Sequence, residues 1–320
     1  MTLVGHDEAW RAWRAALAGP RLAYGWILAG RRGLGKARFA FAAARELVAE
    51  PGAPQPAGDH PDILVLSPLP KDDKEERKRD EGKPFELKRN ITVDQIRAMR
   101  RRLEKRPTLG SRRVVIVDPA DDLEPAAQNA LLKSLEEPPA GTYFVLVAHR
   151  LGRLLPTIRS RCRVLPFAPL SADAVDAILT RDAPHADAAT RAAAVAAAGG
   201  SPGIAREFVE LDLGHVHAAM EAIVGRGDRD LALRARLAEA MGARPDRKRQ
   251  LAAIELARAV VTARMAQTPR QAIPALAQAH AGLLRLAAQA PTYNYDAGFL
   301  VMEIGGLLAS VAVPTAPAHG

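Results

Sequence analysis

Three short runs hold the residue types that could do chemistry. The first is Gly30-Arg31-Arg32-Gly33-Leu34-Gly35-Lys36-Ala37, which follows an apolar stretch and opens a helical pattern. It fits G-x-x-x-x-G-K-[ST] at every position but the last. Its glycines let backbone N–H groups turn inward around phosphate oxygens, and the helix start adds favourable dipole potential. Lys36 would place its charge on the terminal phosphates. A hydroxyl normally follows that lysine and coordinates Mg²⁺, and Ala37 has none. The second run is Val114-Val115-Ile116-Val117-Asp118, an apolar strand ending in an acid, as a Walker B site requires. Hydrolytic sites often follow this acid with a glutamate that polarises the attacking water; here the residue is Pro119. Asp121 and Asp122 could substitute in part, or cap the helix that begins near Pro125. The third run is Ser160-Arg161-Cys162, flanked by Arg159 and Arg163. A guanidinium stays charged and offers phosphate oxygens a planar fork.

These runs need a scaffold, and the first half of the chain supplies one. Short apolar runs alternate with helical patterns, the mark of a parallel sheet covered on both faces. Strands are expected at Ala23–Ala29, Ile63–Leu66, Val114–Val117, Tyr143–Ala148 and Arg163–Phe167, with helices at Lys36–Ala49, Val93–Lys105 and Pro125–Leu135. Pro51–Gly58 reads as a loop. Lys71–Arg89 is nearly all charged and buries too little to offset its ordering entropy, so a mobile insertion is expected there. From Ser171 strand patterns stop and alanine-rich helices take over, at Asp173–Thr180, Ala188–Ala198 and Pro202–Leu211, with Gly199 and Gly200 as a C-cap. Helical spacing then runs from His215 to Val311. The reading is an α/β domain over residues 1–169, a small helical lid over 170–213, and an all-α oligomerisation domain over 214–320.

Composition sets the limits. The 320 residues are 48% hydrophobic and 25% charged, which excludes a disordered or collagen-like polymer. Lys+Arg 45 against Asp+Glu 36 gives +9, a balance that suits an anionic partner without requiring one. A lone cysteine, Cys162, excludes an intrachain disulfide and a thiolate zinc site, and points to a reducing compartment. The opening Met1–Trp10 lacks a signal-peptide core, and no apolar run approaches the roughly 18 residues of a membrane span. A soluble, cytoplasmic protein is expected.

The run from Val114 to Asp121, then Gln128-Asn129-Ala130-Leu131-Leu132-Lys133-Ser134-Leu135-Glu136-Glu137-Pro138-Pro139, and Leu154-Leu155-Pro156-Thr157-Ile158-Arg159-Ser160-Arg161-Cys162, resemble the clamp-loader branch of AAA+ proteins. The similarity spans about Leu22 to Arg206. It implies an AAA+ P-loop sheet domain, a lid and a collar-type helical domain. It also implies that Arg161, with Ser160 and Cys162 beside it, acts as an arginine finger on ATP held by an adjacent tau/gamma subunit. Such fingers contribute on the order of 10³–10⁵ in rate. The implied partners are the tau/gamma and delta subunits, with the sliding clamp and primer-template DNA reached through the complex. The chain would then belong to the DNA polymerase III holoenzyme, a DNA-directed DNA polymerase, without being catalytic alone.

Against the active relatives, the sensor-1 position falls near His149 and Arg150, and the sensor-2 run reads Gly200-Ser201-Pro202-Gly203, with Arg206 almost a turn further on. The four-cysteine zinc module is missing ahead of His60-Pro61-Asp62, which makes His60 a turn residue rather than a ligand. No cofactor is required on this reading. Gly30, Gly33, Gly35, Lys36 and Asp118 remain as a degenerate site for weak ATP or ADP binding.

Other readings stay open. Arg159, Arg161 and Arg163 could be solvated charges on an edge strand. Arg97, Arg101 and Lys105 recur along one helix face, either towards DNA phosphates or as a solvent face relieved by Asp94 and Glu104. Aromatic residues are only 4%, which argues against base stacking. Cys162, between two arginines, could have a lowered pKa or serve as a small apolar plug. An active AAA+ ATPase with an unusual loop and a sequence-independent DNA-binding protein are the alternative functions.

Overall fold

The computed structural model describes residues 5–52, 54–265, 268–290 and 295–312. It has two compact units, Met1–Pro169 and Leu170–Gly320. The first unit runs α1 (Asp7–Leu17), β1 (Gly25–Ala29), α2 (Lys36–Val48), β2 (Ile63–Leu66), α3 (Asp73–Asp80), α4 (Val93–Leu103), β3 (Arg113–Val117), α5 (Pro125–Glu136), β4 (Thr142–Ala148), α6 (Pro156–Arg159) and β5 (Arg163–Pro166). The strands are parallel in the order β2-β3-β4-β1-β5.

That order explains why the strands read as unbroken apolar runs. β1, β3 and β4 are interior and carry helices on both faces, so residues of both parities are buried. Trp26, Leu28, Val114, Ile116, Val145 and Val147 pack under α1 and α2. Ile27, Val115, Val117, Phe144 and Leu146, one residue out of phase, pack under α4 and α5. The register aligns Ala29 with Ala148 and with Pro166, and Val117 with Leu146. The loops after β1, β3, β4 and β5 therefore leave the same edge of the sheet, where α/β folds place their ligands.

Most expected elements fall within one or two residues of those observed, but three points differ. Strand β1 starts at Gly25 rather than Ala23, because Ala23 uses its carbonyl to accept the Trp26 indole N–H at 2.9 Å. Helix α1 was not expected; Ala9, Trp13 and Ala16 are buried at helical spacing, and Trp13 meets Trp26 edge-on at 5.1 Å. Residues 71–89, expected as a mobile insertion, contain the helix α3. Electrostatics builds it where burial could not. Asp72 caps the helix by accepting Glu75 N–H at 3.0 Å, acids fill its first turn and bases its last. Glu75 is buried and accepts from Lys78 Nζ and from the Glu86 N–H, both at 2.7 Å. Two backbone bonds, Lys71 N–H to Glu86 O and Lys88 N–H to Leu69 O, close the segment at its base.

The second unit holds α7 (Ala172–Asp182), α8 (Ala188–Ala198), α9 (Pro202–Glu210), α10 (Gly214–Arg226), α11 (Ala232–Met241), α12 (Arg247–Met265), α13 (Ile273–Gln289) and α14 (Ala297–Ala309). Ser171, Asp187 and Ser201 cap α7, α8 and α9, and Gly199 ends α8 at φ 54°. The boundary read at residue 213 falls in the turn before α10, and a single apolar core continues across it from Val175 to Leu308. Residues 1–4 and 313–320 of the expected domains lie outside the described residues.

Candidate functional site

The phosphate-type loop links β1 to α2. Gly33 and Gly35 have φ of 80° and 84°, the left-handed region that glycine enters without steric cost. Gly35 is the N-cap of α2, so Lys36 is its first helical residue. Although exposed lysines are the norm, Lys36 is only 2% exposed. Its ammonium donates to the carbonyls of Gly30 and Arg31, each at 2.6 Å. Burial pulls its pKa down to about 8, against the opposing pull of Asp121 and Asp118. Ala37 stands half-buried beside it without a hydroxyl.

Beyond β3, the Asp118 carboxyl is pushed above the usual range by burial, with Lys36 acting against that push. Asp121 and Asp122 were read as substitutes or helix caps, and capping does not occur. The α5 N-cap is Glu124 without a side-chain cap bond, and Pro125 at the first turn has no N–H to satisfy. The buried Asp121 instead accepts the backbone N–H of His149 at 2.8 Å, with Arg150 Nε 3.7 Å away. It thus ties the loop after β3 to the end of β4. Burial also raises Asp122, helped by Asp121. At the sensor-1 position, burial first and Lys36 second pull His149 down to about 4, so the imidazole is neutral at physiological pH. Its Nδ1 is buried without a hydrogen-bond partner.

Lys36, Asp118, Asp121 and His149 thus influence one another where β1, β3 and β4 end. Position 37 offers no hydroxyl to a metal, and position 119 offers no carboxylate to polarise an attacking water. Lys36 is held by the two loop carbonyls of Gly30 and Arg31, so a phosphate at this loop would have to displace those bonds.

Arg161 has different partners. It follows the short α6, and its side chain is 36% exposed. One guanidinium nitrogen, Nη1, donates to Thr157 O at 3.0 Å and reaches Ser160 Oγ at 3.4 Å, while Nη2 lies 2.7 Å from Glu136 Oε1. Arg159 is exposed, and Arg163 places its guanidinium 5.1 Å from the Trp26 ring centroid. Burial pushes the Cys162 thiol up to about 12, which removes the lowered-pKa reading and leaves the apolar plug. An ideal Cβ on Gly25 would stand 2.6 Å from Cys162 Sγ, so β1 can approach this turn only with glycine there.

Sequence reasoning missed two positioning residues. Gln128, quoted only as part of a motif, is buried and stitches α5 to the strand of chain leading to α6: Oε1 accepts Leu155 N–H at 2.9 Å, and Nε2 donates to Leu123 O and Arg153 O at 3.3 Å. An amide at an apolar helical position was the available signal. Asp62 is the other. Fully buried, it accepts from Thr108 N–H, Leu109 N–H and Arg113 Nη2. His60 Nδ1 accepts the Asp62 N–H at 3.1 Å, a turn role. Among the described residues no cluster of His, Cys, Asp and Glu could hold a metal ion, and no helix is long and apolar enough to cross a membrane.

On α4, Arg97 and Arg101 are exposed, but Lys105 lies beyond the helix end at Leu103. Arg97 is paired with Asp94 at 3.0 Å. At the sensor-2 position Ser201 caps α9, and Arg206 pairs along its own helix with Glu210.

A family model described as "DNA polymerase III, delta subunit" matches residues 5–171. Among curated proteins, the chain is 35% identical over 193 residues to "DNA polymerase III subunit delta'" of Pseudomonas aeruginosa, covering 56% of this chain and 54% of that protein. It is 38% identical over 156 residues to the Escherichia coli protein of the same name, covering 49% and 42%. The chain spans about half the length of the curated relatives it matches. Among solved structures, a DNA polymerase III gamma subunit-related protein of Thermotoga maritima aligns over 95% of this chain and 99% of its own, at 18% identity and a TM-score of 0.46. With more than half of its length inside the family model, and relatives named as delta' subunits, this chain belongs to the DNA polymerase III delta-subunit family, in company with the delta' proteins.

Proposed function

We propose that this chain is the delta' subunit of a bacterial clamp loader, a non-hydrolysing subunit that lends Arg161 to ATP held by an adjacent tau/gamma subunit. The contrast between its two cations supports this. Lys36 is buried and bound to its own loop, beside an Ala37 without a metal-binding hydroxyl and a Pro119 without a water-polarising carboxylate. Arg161 is partly exposed, on the turn that follows α6, and can meet a second subunit. A guanidinium that contacts a neighbour's terminal phosphate stabilises the charge spread over it in the transition state, with no proton to manage.

On this reading the chain binds ATP or ADP weakly at most and takes no zinc. It assembles with tau/gamma and delta, and meets the sliding clamp and primer-template DNA in the complex. Arg97 and Arg101 are its candidates for DNA phosphates, with Lys105 displaced from their helix. Such contacts would be electrostatic and weaken with salt.

The test is reconstitution with tau/gamma and delta, followed by measurement of DNA- and clamp-stimulated ATP hydrolysis. Arg161→Ala should lower turnover at the site it serves by on the order of 10³–10⁵ while leaving assembly intact. Lys36→Ala should change little. ATP turnover by the lone chain, or a large loss in Lys36→Ala, would overturn the assignment.

A further inference from the structure

We propose that Glu136 is a resting counter-ion that competes for Arg161: its carboxylate occupies the guanidinium in the free chain and yields it when a neighbouring subunit presents phosphate. The inference rests on the arginine-finger reading above. Glu136 is the last residue of α5, where the helix end carries partial negative charge and an acid is locally unfavourable. Its placement is explained by the cation it meets, Arg161 Nη2 at 2.7 Å.

The geometry has the form of a held but exchangeable group. Nη1 is fixed on Thr157 O, leaving the Nη2 side facing Glu136. Gln128 binds α5 to the Arg153–Leu155 segment, so the helix bearing Glu136 and the turn bearing Arg161 are joined independently of their ion pair. The two side chains are 45% and 36% exposed, so water and a competing anion can reach the contact. A carboxylate accepts the same planar fork as phosphate oxygens. It carries less charge than a terminal phosphate, and an exposed pair is weak enough to be displaced. Glu136 therefore competes with the phosphate for a guanidinium that Thr157 O already holds at Nη1.

The experiment compares Glu136→Gln with the parent chain in the complex reconstituted with tau/gamma and delta, at limiting ATP. Gln keeps the shape and removes the charge. Its kcat/KM for ATP should rise about 1.5- to 5-fold, the range that the strength of an exposed pair allows. The gain should shrink as salt screens the pair in the parent protein. In an Arg161→Ala background, Glu136→Gln should change nothing, since the coupling exists only while both partners do. Unchanged thermal midpoints of the single variant will show that folding is not the cause. A flat or reduced kcat/KM, or a gain that survives in Arg161→Ala, would overturn the inference and leave the finger reading standing. If Arg161→Ala alone leaves hydrolysis untouched, the finger reading falls, and this inference with it.

Discussion

The Lys36 ammonium and the Gly30 carbonyl lie 2.6 Å apart, so the lysine that would greet a phosphate is engaged with its own loop. Any nucleotide must compete with that bond and with the one to Arg31 O.

The burial that lowers Lys36 to about 8 gives binding a pH dependence. Below that value the ammonium is charged and attracts phosphate; above it the amine is neutral. Affinity for a fluorescent ATP analogue should therefore fall as pH rises through about 8, and Lys36→Ala should flatten the profile. The same shift acts on folding with the opposite sense. Between about 8 and the ordinary lysine value of about 10.4, the unfolded chain binds more protons, so this residue's contribution to stability grows with pH. Titrations on either side of pH 8 check the first effect, and thermal midpoints of the parent against Lys36→Ala check the second.

Asp62 and Arg113 form a buried ion pair at 3.4 Å, and Arg113 also donates to the carbonyls of Arg102, Lys105 and Arg106. Removing the carboxylate strands two backbone N–H groups and a buried cation. Asp62→Ala should cost about 3–5 kcal/mol in urea unfolding. Burial would raise this carboxyl, but the N–H groups of Leu109 and Thr108, with Arg113, hold it below the usual range. Its contribution is complete above the unfolded value of about 3.9 and disappears as pH falls through the lower folded one. Acid titration of the parent and the variant should converge there.

Gly25→Ala should destabilise the protein by about 1–3 kcal/mol, because the new methyl would meet Cys162 Sγ at 2.6 Å. Adding Cys162→Ala should recover part of the loss. If the two changes are simply additive in chemical denaturation, the close approach of β1 to the Ser-Arg-Cys turn is not the cause.

Cys162 should resist alkylation. With its thiol pushed up to about 12 by burial, almost no thiolate exists near neutral pH. Iodoacetamide should label it only when denaturant is added, as mass spectrometry can show. Rapid labelling of the folded chain would contradict the plug reading.

The interior strand Val114–Val117 was legible because it is buried on both faces, while the edge strand Ile63–Leu66 was marked by its short apolar run even though Val65 is exposed. The loop at 30–37 was legible because glycine and lysine at fixed spacing have few other uses. Two things were not. Residues 71–89 were judged by hydrophobic content, yet α3 forms through a cap, complementary end charges and one buried glutamate, none of which hydropathy registers. Helix α1 buries only one face through two tryptophans and small alanines, a pattern too sparse to stand out.

By itself, the sequence determined which groups are present and which are missing: a phosphate-type loop without its hydroxyl, an acid without its glutamate, and an arginine in a clamp-loader triplet. Those are matters of residue type and spacing, and no folding can supply a side-chain oxygen that Ala37 and Pro119 do not carry. Which partner each group takes was decided by the tertiary structure alone. Asp121 bonds to His149 and not to a helix start because parallel register brings the ends of β3 and β4 together. Arg161 meets Glu136 because α5 ends where the turn after α6 begins its descent into β5. Pairings of this kind join residues 25 and more positions apart, and local pattern has no means of expressing them.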